Sequence, residues 1–396
     1  MQARDLLQRK YIVYGLSIVM SRGLELAVMF FAAKYLAKAV YGDLEFYKKL
    51  LELGGVLLSF GFPTMILTYT RSRASKVYML LFASVFVVIF SLVLWPVLRI
   101  WGWEHLWLSF LFYALFFTGG IYPVYVLVRK GSDAASVYKI TVSVLFYGGV
   151  WWYIVHSPAP SEAFVRTAKW LVVPGMAIMV WEWMRFGVIW RHFRRYARLF
   201  LRLLYGSFTV VLSSFSNMMF LYTDIFIIKW MSEKASLEIA DYGFSLNVAN
   251  ILMLIPLTLV QADIEKIKRE KSYFGIIRKK ILVLALAGAL VLIPAYYLLT
   301  HRYYVRYDNT FGLFLVIMIA KLFQSQSVLY GAGILISKKY NVNLFINLFM
   351  IVLNVVLSYS LYKIWGLYGV ATASALSLAV RYGLLVYAYH HWTRRT

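Results

Sequence analysis

The groups in this chain best equipped for chemistry lie where apolar residues would be expected. The stretch VMSRGLELAVMF, residues 19–30, has the composition of a membrane-spanning helix, yet Arg22 and Glu25 stand in its middle. A charge at the bilayer centre costs about 2.5–3.5 kcal/mol on insertion scales, so such a side chain faces a protein interior or a wet cavity. Lys321 lies near the middle of another apolar segment and Arg381 in the inner half of a third. Their acidic counterparts inside apolar segments are Glu25, Glu52 and Asp224. A cavity lined by this set is neutral to positive and suits an anionic ligand. Arginine with its bidentate fork, and lysine as a compact charge, are both good phosphate partners.

Polar residues at helical spacing extend the same pattern. A helix surrounded by lipid should carry no polar stripe, whereas one lining a cavity repeats polar residues every three, four or seven positions. Asn343, Asn347, Asn354 and Ser358 share one face, as do Ser213, Asn217 and Asp224; Lys321, Gln324 and Ser325; and Ser374, Ser377 and Arg381. In the first half, Ser17, Ser21 and Glu25 form a strip with Arg22 beside it. Structural readings stand next to the functional ones. Arg22 and Glu25, three apart, could be a same-helix ion pair, and Asn347 and Asn354 could be hydrogen-bonding glue between helices. Asp224, near the outer mouth of its segment, could simply reach water, and Glu182 with Arg185 reads as an interfacial anchor.

The elements that must position these groups are apolar spans. The chain has 396 residues, 62% of them hydrophobic, against a usual share of about 45–50% in soluble domains. Windows of about 20 apolar residues fall near 11–33, 44–67, 77–98, 107–128, 137–155, 168–190, 203–228, 242–262, 281–300, 310–336, 342–363 and 367–390. The first follows a short basic flank without a small-residue cleavage site, so it reads as a span rather than a signal peptide. Twelve spans put both ends on one side. Most of the lysine and arginine lies in the segments that share that side, which predicts an N-in, C-in orientation and explains the net charge of +24 without nucleic acid. With no cysteine and only scattered histidines, no metal or redox centre is expected. No GxxxxGK[ST] phosphate loop occurs, which argues against ATP hydrolysis.

The basic segment 191–202 divides the spans six and six, predicting an all-α polytopic membrane protein of about twelve transmembrane helices in two pseudo-repeated lobes, 1–198 and 199–396. Tyr14-Gly15, Tyr41-Gly42 and Pro63 recur in order as Tyr205-Gly206, Tyr242-Gly243 and Pro256. In transporters, a substrate site often lies between such repeats.

Three stretches carry a family resemblance: LFMIVLNVVLSYSLYKIWGLYGVATASALSLAVRY near the C-terminal end, AKAVYGDLEFYKKLLELGGVLLSFGFP, and LYTDIFIIKW with ADYGFSLNVANILMLIPLTL. Together they resemble the Wzx-type polysaccharide flippases of the MOP (multidrug/oligosaccharidyl-lipid/polysaccharide) superfamily, which includes the MATE exporters. The resemblance implies a flippase, not an enzyme, moving undecaprenyl-diphosphate-linked oligosaccharide repeat units of the O-antigen kind across the bacterial cytoplasmic (inner) membrane by alternating access. It implies membrane lipid and the polysaccharide polymerase or chain-length machinery as partners. Arg22, in a position similar to a cavity arginine of the related lipid II flippases, is then the first diphosphate contact, followed by Lys321 and Arg381, with Asn217, Asn347 and Asn354 for diphosphate or sugar. It implies no cofactor and coupling to a proton or sodium gradient, with Glu25, Glu52 and Asp224 as candidate carriers. The alternatives are a MATE-like multidrug exporter and, in another class, a membrane-embedded polysaccharide polymerase or glycosyltransferase using Asp43 and Glu45 of GDLE, residues that otherwise read as a solvated helix start.

Overall fold

The computed structural model describes residues 2–69, 73–186, 190–269, 271–337 and 339–393. Among them the regular structure is entirely helical. The α-helices are α1 (Gln2–Tyr35), α2 (Lys38–Ser59), α3 (Phe62–Tyr69), α4 (Arg73–Ile100), α5 (Trp107–Leu115), α6 (Ile121–Lys130), α7 (Ser132–His156) and α8 (Ala163–Phe186). They continue as α9 (Trp190–Met231), α10 (Ala235–Ala249), α11 (Leu254–Arg269), α12 (Lys271–Arg302), α13 (Phe311–Ile336), α14 (Tyr340–Trp365) and α15 (Leu367–Thr393). The protein is an all-α polytopic membrane protein whose twelve apolar windows become twelve helical rods. Eight stretches among the described residues are long and apolar enough to cross a membrane unaided.

Three rods are broken, and the sequence explains where. The second rod is α2 plus α3, interrupted at Phe60 (φ 48°) and Gly61 (φ 69°). Phe60 holds its strained backbone inside an aromatic cluster, with ring centroids 5.1 Å from Phe86 and 5.8 Å from Phe90. The fourth rod breaks between α5 and α6, where a side chain at Gly120 would come 2.8 Å from the Ala114 carbonyl oxygen. The eighth rod, α10 and α11, is joined by a 3-10 turn at Asn250–Met253. Pro63 and Pro256 each sit in the first turn of the helix after a break, where the missing amide donor is not needed. The repeated prolines therefore mark a real structural correspondence between the second and eighth rods. The first tyrosine-glycine pair of the repeat, Tyr14-Gly15 with Tyr205-Gly206, falls largely outside the residues whose side chains are described.

The chain forms two compact units, residues 1–32 with 46–215, and residues 33–45 with 216–396. The sequence boundary at 198/199 falls inside α9, and the corner joining α1 to α2 packs with the second unit. Hydrocarbon gives helices no hydrophobic reason to associate, so close packing must hold each unit. In the first, Phe62, Phe82, Phe86 and Phe200 interlock, and Phe112 stacks on Phe146 at 5.4 Å. In the second, Tyr296 stacks on Phe314 at 3.8 Å, and Phe274 packs with Tyr330 and Tyr389 over the apolar core of α12, α13 and α15. Trp101, Trp152, Trp230 and Trp365 are exposed near helix ends.

Candidate functional site

In the first unit, α1, α2 and α7 build a charged cluster. Glu25 is gripped from both sides: Arg22 Nη1 donates to one carboxylate oxygen at 2.6 Å and Lys48 Nζ reaches the other at 2.7 Å. Lys49 stands 3.6 Å from Glu52 on the next turn of α2. The Ser21 and Ser143 hydroxyls, 2.7 Å apart, tie α1 to α7. Lys139, Ser143 and Tyr147 are four residues apart on one face of α7, and both Lys139 and Tyr147 lie close enough to act on Arg22 electrostatically. Four cations thus meet two carboxylates. Lys48 is buried, whereas 58% of the Arg22 side chain is open although neighbours crowd it, as on the wall of a concave surface.

Glu25 pairs with Arg22, as their spacing allows, and is bonded in addition to the buried Lys48. Glu52 stands beside Lys49. Lys48 and Lys49 were not singled out from the sequence, although their spacing from Glu45 and Glu52 puts a charged face on α2.

The second unit holds two polar layers. In the first, the Asp224 carboxylate of α9 accepts hydrogen bonds from the Tyr242 hydroxyl of α10, from Ser374 Oγ of α15 at 2.5 Å, and from Asn354 Nδ2 of α14 at 3.3 Å. Asn354 also donates to the Phe220 carbonyl. A cavity lined by Asp224, Tyr242, Ser374 and Lys321 of α13 offers about 20 Å³ to the centre of a water molecule, room for one water or small ion and not for a sugar. Lys321 donates to Gln324 at 2.8 Å. Asp224 is buried rather than open at a mouth, and Asn354 is hydrogen-bonded to Asp224 and to the Phe220 carbonyl.

In the second layer, Arg381 Nη2 of α15 donates to Asn217 Oδ1 of α9 at 2.6 Å and to Asn347 Oδ1 of α14 at 3.1 Å, with its guanidinium 5.2 Å from the Phe220 ring centre. The layers lie seven residues apart on each of three helices, Asn217 to Asp224, Asn347 to Asn354 and Ser374 to Arg381. Two turns separate them by about 10 Å. The three cations expected to act together therefore occupy three settings: Arg22 in the first unit, Lys321 beside Asp224, and Arg381 among asparagines.

The corner 33–45 is bound into the second unit by charge. Lys38 pairs with Asp241 at 2.6 Å, and Asp43 accepts from Ser236 at 2.7 Å and Lys229 at 3.2 Å. Glu45, fully buried, accepts from Tyr41 and Asn247. Arg306 donates to the Leu36 carbonyl and, at 2.6 Å, to that of Lys34. A side chain at Gly42 would fall 1.7 Å from the Ser236 carbonyl oxygen, and one at Gly243 would come 3.0 Å from Glu45. The recurrent glycines after Tyr41 and Tyr242 thus allow α2 and α10 to cross closely. Asp43 and Glu45 are consumed by these contacts instead of forming a solvated helix start. Among the described residues no group of three or more His, Cys, Asp or Glu is placed to hold a metal ion. Glu182 is not an anchor paired with Arg185; it bridges Arg129 at 2.9 Å and Lys130 at 2.5 Å.

No family model matches this chain, and no curated protein matches it by sequence. Solved structures do match. A MATE protein in the straight conformation superposes with a TM-score of 0.65 at 12% identity, over 98% of this chain and 94% of that one. A multidrug resistance MATE family transporter of the MOP superfamily, inward-facing, gives 0.61 at 14% identity over 97% and 98%. The lipid II flippase MurJ, in an inward closed conformation, gives 0.60 at 13% identity over 96% and 87%. The chain shares the fold of these MATE and MurJ structures over 96–98% of its length.

Proposed function

We propose that this protein is a flippase carrying undecaprenyl-diphosphate-linked oligosaccharide repeat units across the bacterial cytoplasmic membrane by alternating access, for surface polysaccharide synthesis, with both ends of the chain in the cytoplasm. The observation that carries this reading is the cation excess around Arg22 within membrane-spanning helices. A diphosphate cannot enter hydrocarbon, and a spanning protein must replace its water with fixed charge. Glu25 holds the Arg22 guanidinium by one nitrogen and leaves the rest of its fork to meet phosphate. Lys48, Lys49 and Lys139 add positive potential behind it. Arg381, with Asn217 and Asn347, is the corresponding candidate in the second unit. Asp224 is the candidate coupling group, since it is buried between four helices with hydroxyl and amide donors as its hydrogen-bond partners, whereas Glu25 is bonded to two cations.

Multidrug export is the second reading, supported by the MATE superpositions. The excess of positive charge disfavours it for cationic drugs. The test is the sidedness of lipid-linked oligosaccharide in membranes of a strain lacking the protein. Accumulation on the cytoplasmic face, relieved by the wild type and not by Arg22→Gln at equal protein level, supports the flippase. Normal outward distribution without a redundant flippase refutes it.

A further inference from the structure

We infer that Lys321 acts as a tethered cation that reserves the Asp224 cavity for protons and shuts out sodium. The inference rests on Asp224 as the coupling group and adds which ion that group accepts.

A hard cation entering a buried site must exchange its water for several oxygen lone pairs and net negative charge. The Asp224 site provides neither in surplus. Its one carboxylate is met by donors on every side: the hydroxyls of Tyr242 and Ser374 and the amide of Asn354, whose Oδ1 faces the Ser358 hydroxyl at 3.5 Å. The charged and titratable groups facing the carboxylate from the packed helices are Tyr242 of α10 and Lys321 of α13; α14 and α15 contribute the neutral Asn354 and Ser374. With Lys321 in the wall, the cavity already contains its own monovalent cation. A sodium ion would arrive at a site without net charge, in a space of about 20 Å³ with Lys321 in its wall.

A proton has no such requirement. It forms one O–H bond on Asp224, and the Ser374 hydroxyl, which now donates to the carboxylate, can accept that proton's hydrogen bond instead. The positive charge introduced is cancelled on the carboxylate itself. Lys321 then faces a neutral acid, so the attraction holding α13 toward α9 weakens. That gives protonation a mechanical consequence.

The test uses the purified full chain in lipid nanodiscs, with thermal melting in sodium chloride against choline chloride at constant ionic strength. The wild type should melt at the same temperature in both salts. Lys321→Ala should gain a sodium-dependent rise of a few degrees, and adding Asp224→Asn should remove it. If Lys321→Ala fails to fold, Lys321→Gln replaces it. In the infrared spectrum, a protonated carboxyl band that rises on acidification should disappear in Asp224→Asn and be unaffected by sodium. Sodium stabilisation of the wild type that depends on Asp224 overturns the inference. A folded Lys321 variant that stays indifferent to sodium overturns it too. Neither readout involves transport, so failure here is separate from failure of Asp224 as a coupling group, which would show as Asp224→Asn vesicles retaining gradient-driven transport.

Discussion

Glu25 is bonded to two cations, Arg22 and Lys48. Replacing it by glutamine strands the buried Lys48 and releases Arg22, and breaking a buried pair from one side costs about 3–5 kcal/mol. Glu25→Gln should therefore lower the melting temperature markedly, and Lys48→Met added to it should restore much of the loss. If Glu25 were instead a gradient sensor, the single variant would keep its stability and lose only gradient-driven transport. Arg22 behaves differently because its side chain is largely open. Arg22→Gln should fold normally and lose about tenfold or more in affinity for a diphosphate headgroup, the worth of a charged hydrogen bond at about 1.5–3 kcal/mol. Binding of a soluble diphosphate lipid analogue, measured by calorimetry, checks it. Asn354→Ala removes a donor from a buried carboxylate and should cost about 1–3 kcal/mol in unfolding assays.

Helices carry the repeat. Pro63 and Pro256 locate the breaks in the second and eighth rods, and the glycines after Tyr41 and Tyr242 locate the crossing of α2 and α10. Gly42→Ala puts a methyl 1.7 Å from a backbone oxygen, which only a shift of α10 can relieve, so about 1–3 kcal/mol of stability should be lost. Gly148→Ala, with open space at its Cβ position, is the control and should melt like the wild type. The sequence made the rods and the asparagine stripe of α14 legible because both are periodic along one helix. It could not tell which helix each stripe meets. Asn347 and Asn354 share a face, yet one serves Arg381 and the other Asp224, since partners come from α9 and α15 at two different levels. Lys48 was missed for the same reason: its partner is 23 residues earlier, on another helix.

Across the whole molecule, fold and charge narrow the function in different ways. Superposition on MATE and MurJ structures gives the architecture and leaves the cargo open, because exporters and flippases share it. Charge is the proposed basis for separating them. Arg22, Lys48, Lys49 and Lys139 outnumber the two carboxylates they surround, an excess that suits phosphate and disfavours organic cations. Expressing the protein in a drug-sensitive strain should leave its tolerance of cationic dyes unchanged, whereas an exporter would raise it several-fold.

On the proposed reading, the molecule itself moves a diphosphate-linked lipid across a bilayer. The most direct measurement is translocation of a fluorescent polyprenyl-diphosphate oligosaccharide in vesicles containing the purified protein, read by accessibility to an added impermeant quencher. Wild-type protein should equilibrate the lipid between leaflets, Arg22→Gln should slow this about tenfold or more, and Gly148→Ala should leave it intact. Lipid that stays in its original leaflet with folded wild-type protein, with and without an imposed proton gradient, contradicts the flippase reading.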